Sequence, residues 1–217
     1  DARPRGGAAP PLPPPPPLAA NAPKDTDWLN YANDLGSTRY AALDQIDASN
    51  FNKLEVAWRF STDPFGARPD AYFNSTPLVA KGRLFSTVGF ERYLVSLDAA
   101  TGQLLWTYRH NEKGRVGTRG GAGWGVAYWT DGTIERILYV TRSYQMISLD
   151  AKTGLPDPAF GVNGELDLRL DLDQTVDPVR AVIGLHAPPL VIKNTVVVGA
   201  APSPLVQAHL RGFDVRT

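Results

Sequence analysis

One short pattern constrains the fold of this chain more than any other feature. Ser96-Leu97-Asp98-Ala99-Ala100-Thr101-Gly102 recurs as Ser148-Leu149-Asp150-Ala151-Lys152-Thr153-Gly154, and again in part as Gly212-Phe213-Asp214-Val215-Arg216-Thr217. The aspartates are 52 and then 64 residues apart. A second element repeats as well. Thr76-Pro77-Leu78-Val79 precedes a lysine turn and a β-type run over Leu84–Val88, and Pro188-Pro189-Leu190-Val191 precedes another lysine turn and a run over Thr195–Gly199. A repeat of about 50 residues that holds several strands suits a propeller blade of four antiparallel strands.

Each piece of the repeat has a mechanical reason. The aspartate carboxylate can accept hydrogen bonds from the N–H groups and hydroxyl of the turn that follows it. The glycine supplies a backbone conformation with φ > 0. Trp106 follows the first glycine four residues later, and its indole can cover the neighbouring blade. Asp98, Asp150 and Asp214 therefore read as turn staples and not as catalytic acids.

The remaining pattern is all-β. Runs of β-branched and aromatic residues over Leu84–Val88, Tyr93–Leu97, Leu104–Tyr108, Ile137–Thr141, Gln145–Leu149, Leu190–Lys193 and Thr195–Gly199 predict strands. Leu54, Val56, Trp58 and Phe60 alternate with Glu55, Ala57 and Arg59, which predicts a half-buried strand. A brief helix is expected around Asp44–Asn50.

Nine prolines fall within residues 1–23, with Pro13 to Pro17 in succession. Proline lacks an N–H and fixes φ, so this stretch is expected to be a disordered or polyproline II tail, with the folded domain over 24–217. No start methionine, basic leader or apolar leader core is present, so a mature or partial chain is expected. Lys+Arg and Asp+Glu are both 22, a formal net charge of zero. That argues against a nucleic-acid partner, which requires a cationic surplus. No apolar run reaches the roughly 18 residues of a membrane span. With no cysteine, disulfides, thiolate metal sites and cysteine nucleophiles are excluded. The Gly117–Gly123 run lacks the lysine and helix of a phosphate loop. His110, His186 and His209 lack metal-ligand spacing, and no Gly-x-Ser-x-Gly elbow exists.

Ser96-x-Asp98-x-x-Thr101-Gly102-x-x-x-Trp106 resembles the tryptophan-docking motif of the pyrroloquinoline quinone (PQQ) dependent dehydrogenases. Further matches are Asp27-Trp28-x-x-Tyr31, Asp34-Leu35-Gly36-Ser37-Thr38-Arg39-Tyr40, Leu43 to Asn50, Gly125-Val126-Ala127-Tyr128-Trp129 and Arg211 to Thr217. Together they run over about residues 25–217, and they resemble most the glucose and alcohol type. The resemblance implies an eight-bladed propeller of which three to four blades are present here, as the N-terminal part of a longer protein. It implies PQQ with a divalent ion, usually calcium, that polarises the quinone carbonyl. It implies an aspartate base and hydride transfer from a sugar or alcohol, with electrons leaving to a cytochrome or a membrane quinone. In this family the base and most metal ligands come from later blades, so the 217 residues alone are expected to be inactive. A periplasmic location is implied by the resemblance only.

Four positions follow as cofactor candidates by resemblance. Asn74 stands where the family places a glutamate or glutamine, and its amide can still donate to a carboxylate. Trp124 stands where the family places an arginine before Gly-Val-Ala-Tyr; an indole can stack but cannot supply the guanidinium fork. Arg119 is a candidate substitute for that charge. His186 stands at a serine or threonine position. The stretch Ala200-Ala201-Pro202-Ser203-Pro204 lacks the glutamate metal ligand of methanol-oxidising members, and their adjacent cysteines are missing. Both departures disfavour a methanol dehydrogenase. Trp124 and the missing carboxylate also leave open a cofactor-free propeller interaction scaffold resembling the outer-membrane assembly lipoproteins.

Overall fold

The computed structural model describes residues 14, 27–66, 73–112, 114, 124–177, 182–185, 187–199, 207 and 209–217. The proline-rich tail expected over 1–23 lies outside the described residues, residue 14 apart. Among the described residues eleven strands form three antiparallel sheets. The first contains β1 (Leu78–Ala80), β2 (Arg83–Val88), β3 (Tyr93–Asp98) and β4 (Leu104–Tyr108) in that spatial order. The second contains β5 (Ala127–Thr130), β6 (Glu135–Val140), β7 (Gln145–Asp150) and β8 (Glu165–Asp167), also in chain order. The third contains β9 (Leu190–Ile192), β10 (Thr195–Val198) and β11 (Arg211–Asp214).

The sheets stand side by side through their first strands. Residues of β1 approach β5, and residues of β5 approach β9. Thr76, just before β1, forms a parallel bridge with Gly125, just before β5. Antiparallel pairing within sheets and a parallel approach between their first strands is the radial order of a propeller. Packing follows the period-two alternation of strands. On the middle sheet, Ile137, Tyr139, Ile147 and Leu149 pack toward the first sheet with Leu78, Phe85, Leu94 and Trp106. The intervening Leu138, Val140 and Met146 pack toward the third sheet with Phe160, Val196 and Val198. Both faces of that sheet are buried, which is why β6 and β7 read as nearly unbroken apolar runs.

The repeated corners do what their residues predict. The Asp98 carboxylate accepts from Ala100 N at 2.9 Å, Thr101 N at 2.9 Å and Thr101 Oγ1 at 3.0 Å. Asp150 accepts from Lys152 N at 2.9 Å, Thr153 N at 2.8 Å and Thr153 Oγ1 at 2.9 Å. Asp214 accepts from Arg216 N at 2.9 Å and from its Nε at 2.9 Å. The Trp106 indole N–H donates to Ala151 O at 3.1 Å, across to the second sheet. Its ring lies on Gly154, where an added Cβ would stand 2.6 Å from Trp106 Cδ2. Trp58 repeats the arrangement one sheet earlier: Nε1 donates to Ala99 O at 3.2 Å, and a Cβ on Gly102 would stand 2.5 Å from its Cδ2. Both glycines sit at φ +71. Conformation and close approach together demand glycine there.

Two local expectations are corrected. No strand forms over Leu54–Phe60, because no neighbouring strand among the described residues offers it a ladder; Leu54 and Val56 are exposed while Trp58 and Phe60 pack on the first sheet. No helix forms over Asp44–Asn50. Asp47 instead accepts from Ser49 N and Ser49 Oγ, both at 2.6 Å, in a turn followed by one 3-10 turn at Phe51–Lys53. Short polar side chains that bond their own backbone compete with helix. Strands β1, β5, β8 and β11 add to the expected set. Among the described residues no helix is long and apolar enough to cross a membrane.

Candidate functional site at the convergence of the first strands

In these meanders the loops alternate between two ends of each sheet. The Asp-Thr-Gly corners occupy one end. The starts of β1, β5 and β9, the β6–β7 turn and the segment leaving β4 occupy the other. At that second end a cleft of about 600 Å³ opens where the first strands converge. Its walls are Asn74 and Thr76 before β1, Trp124 and Val126 before β5, and Ala187, Pro188 and Pro189 before β9. Gly125 makes the convergence possible. It sits at φ +113, and a Cβ there would be 3.1 Å from Thr76 O. A side chain there would strain the backbone and crowd the Thr76 carbonyl at the seam of the first two sheets.

The segment Leu29 to Ser37 supplies the remaining wall. It is tied down at its start, where Trp28 N donates to Val79 O at 2.7 Å and Val79 N donates to Trp28 O at 3.0 Å. Asp27 Oδ1 also accepts from Lys81 N at 2.8 Å. The segment therefore runs along the free edge of β1 and reaches the cleft. There Asp34 accepts from Thr38 N at 3.1 Å and from Thr38 Oγ1. These bonds, the hydroxyl first, hold its carboxyl below the usual aspartate range, so it carries a negative charge into the cleft at neutral pH.

Asn74 is positioned by its neighbour. Ser75 is buried, and its Oγ lies 3.0 Å from Ser86 Oγ and accepts from Thr87 N at 3.2 Å and Thr87 Oγ1 at 3.0 Å. Pinning Ser75 to β2 leaves Asn74 and Thr76, one residue to either side, to line the cleft. Of the four candidates read from the sequence, Asn74 and Trp124 line one site although 50 residues separate them. Arg119 and His186 lie outside the described residues, as does the stretch 200–204. The wall from Leu29 to Ser37 overlaps two of the family motifs, but these do not single it out as part of a site; its long-range bridge to β1 brings it there.

A polar clasp joins the first two sheets at the same end. Glu112, four residues past β4, accepts from Arg142 N at 3.1 Å, Ser143 N at 3.2 Å and Ser143 Oγ. His110 is buried; its Nε2 lies 3.0 Å from Gln145 Oε1 and its Nδ1 3.6 Å from Glu165. Burial and then Glu165 push the nearby Tyr108 phenol up to about 12. At the corner end Glu135, 4% exposed, receives Lys81 and Lys152 at 3.2 Å each and the Tyr128 hydroxyl at 3.1 Å. Burial raises its pKa, but the two lysines overcome this and hold it below the ordinary value.

The donor set bears on what the cleft can hold. Its described walls offer an indole, an amide, a hydroxyl from Thr76, proline rings and the Asp34 carboxylate, with no lysine, arginine or histidine. PQQ carries three carboxylates, which call for cationic or multiple N–H partners. These residues do not fit that charge. Among the described residues there is also no group of three or more His, Cys, Asp or Glu side chains that could hold a metal ion.

Comparison with known proteins gives a consistent family. Residues 28–217 match the PQQ family described as the glucose/ethanol/alcohol dehydrogenase β-propeller domain. The chain is 30% identical over 196 residues to the dehydrogenase subunit of alcohol dehydrogenase (quinone) from Gluconobacter oxydans, covering 88% of this chain and 23% of that protein. It is 29% identical over 219 residues to quinate/shikimate dehydrogenase (quinone) from Acinetobacter baylyi, covering 90% and 26%. The fold resembles quinohemoprotein alcohol dehydrogenase ADHIIG from Pseudomonas putida HK5, with a TM-score of 0.66 at 24% identity over 88% of this chain and 25% of that one. It also resembles a europium-containing methanol dehydrogenase, with a TM-score of 0.63 at 23% identity, covering 88% and 30%. The chain spans about a quarter of the length of the curated relatives it matches. With the repeated corners, the radial sheets and a match over nearly all of its folded part, the chain belongs to the PQQ-dependent glucose/ethanol/alcohol dehydrogenase β-propeller family.

Proposed function

We propose that these blades form one sector of a quinoprotein oxidoreductase that oxidises an alcohol or a sugar. The observation that carries this reading is the joint placement of Asn74 and Trp124. Two residues picked out from separate repeats line one cleft at the hub, where a propeller gathers the loops of successive blades. The cofactor in this reading is PQQ with a divalent ion such as calcium, electrons pass to a cytochrome or a membrane quinone, and the location is periplasmic. The cationic and metal-binding groups for that cofactor come from outside the described residues, in keeping with the quarter of its relatives' length that the chain spans.

The reading is tested on the longest polypeptide that carries these blades, supplied with PQQ and calcium. Quinone absorbance retained after gel filtration, and dye reduction with primary alcohols or aldoses, are the expected results. The 217-residue chain by itself is expected to reduce no dye. A longer polypeptide that holds no quinone and reduces no dye with any alcohol or aldose would contradict the enzyme and favour a propeller scaffold, the reading supported by the lack of a cation among the described residues of the cleft wall.

A further inference from the structure

We propose that Tyr128 and Glu135 form a redox-active pair. When a one-electron oxidant takes an electron from Trp106, Tyr128 replaces it through Phe85 and hands its own proton to Glu135, which draws oxidation out of the seam between the first two blades.

The chain has no cysteine and one methionine, Met146, which is buried. Indoles and phenols are therefore its readiest one-electron donors. Three rings at the seam form a continuous row. Trp106 on β4 and Phe85 on β2 have ring centroids 5.9 Å apart, and Phe85 and Tyr128 on β5 stack across the seam at 6.5 Å. These are contact distances for aromatic pairs, and all three rings are buried in one core cluster. The phenylalanine ring is not oxidised itself; it fills the gap that the electron crosses.

The two ends of the row differ in what can become of a proton. Trp106 Nε1 donates to Ala151 O at 3.1 Å, and a peptide carbonyl does not take a proton outright. Tyr128 Oη donates to Glu135 Oε2 at 3.1 Å, and a carboxylate does take one. The β5–β6 ladder sets this pair. Thr130 lies opposite Glu135 and Tyr128 opposite Ile137, so phenol and carboxylate share one face as diagonal neighbours. Glu135 is buried, and Lys152 and Lys81, each 3.2 Å from its Oε1, outweigh that burial and keep it ionised. Burial and then Glu135 push the Tyr128 phenol up, so it holds its proton until an electron leaves. An oxidised phenol is a strong acid. In the step, one electron passes from Tyr128 to the Trp106 radical cation, the Tyr128 O–H bond breaks, and the proton binds Glu135 Oε2. Neutral Trp106, a neutral tyrosyl radical and a protonated Glu135 remain.

The test is laser photoionisation of the 217-residue chain. The pulse ejects an electron from tryptophan into water, and dissolved oxygen captures it as superoxide. The expected result is a first-order phase, independent of protein concentration, in which tryptophan radical absorbance falls as tyrosyl absorbance rises. Tyr128→Phe and Trp106→Phe each remove that phase, and Glu135→Gln slows it about tenfold or more. The phase of the native protein also slows in deuterium oxide, a readout that no misfolded variant can confuse. Tyr144→Phe, whose native hydroxyl donates to Gly199 O, leaves the phase unchanged. The proposal is overturned if the phase survives undiminished in Tyr128→Phe or Trp106→Phe, or if neither Glu135→Gln nor deuterium oxide slows it.

Discussion

The two ends of the sheets are built by opposite rules. At the corner end, each aspartate finds its partners within three residues, and each docking tryptophan meets a glycine on the next corner. The unit is short and repeats with the blade, and an indole covers the glycine of the first two corners. At the hub end, the cleft is assembled from residues 29–37, 74–76, 124–127 and 187–190, four stretches with no common pattern. Its residues are more exposed, and several are held by neighbours that do not themselves touch the cleft, as Ser75 holds Asn74. Repetition fixes the frame, and the frame frees the hub to vary. A propeller can therefore keep its corners while its hub residues change.

This contrast makes an ordered set of predictions. Trp106→Ala should have the largest effect. It removes a buried indole between the first two sheets and leaves Ala151 O unpaired, for a loss of about 3–5 kcal/mol in urea unfolding. Gly154→Ala should follow. It forces a side chain into φ +71 and against the Trp106 ring, and should cost about 3 kcal/mol. Gly132→Ala is its control, with φ +98 and nothing within 4 Å, and should lose only about 1 kcal/mol. Equal losses at the two glycines would break the claim that indole contact, and not backbone conformation alone, demands glycine at the corner.

Acid should then separate the two ends. Glu135 has its folded-state pKa below its ordinary value, so its carboxylate contributes stability above that ordinary value. The contribution fades as pH falls through the folded-state pKa. The urea midpoint of the native protein should therefore drop more steeply on acidification than that of Glu135→Gln, and parallel curves would remove the ionic tie between Lys81 and Lys152 from the corner end. The smallest stability effect belongs to the cleft. Asn74→Ala should change unfolding by about 0.5 kcal/mol or less, because its side chain is exposed and packs on little. A loss comparable to that of the corner glycine would show that the hub is part of the frame.

The same contrast explains what the sequence reveals. The corners are legible because all their chemistry lies within seven residues and returns with the blade. Strands β3, β4 and β7 are legible because burial writes itself as apolar runs. Strand β8, Glu165–Asp167, carries two acidic residues in three and gives no such run. Leu54–Phe60 has the alternation of a strand without a ladder, because alternation records which side is buried and not whether a neighbour exists. In the cleft, Asn74 and Trp124 are legible through family motifs. Tyr31 and Asp34 to Ser37 also fall in family motifs, but nothing in those motifs marks them as a cleft wall, since their placement depends on the bridge from Trp28 to Val79, and no spacing in the chain announces a contact 51 residues away.

The radial arrangement of the sheets rests most directly on the parallel meeting of Thr76 and Gly125, the seam that joins the first strands of two blades and opens the cleft beside it. Nuclear Overhauser contacts between the backbone protons of these two residues test it. The arrangement predicts a cross-peak between them, together with the antiparallel contacts of Leu78 with Phe85 and of Ala127 with Leu138. Those within-sheet contacts without the Thr76–Gly125 cross-peak would mean that the blades form but do not converge on a hub.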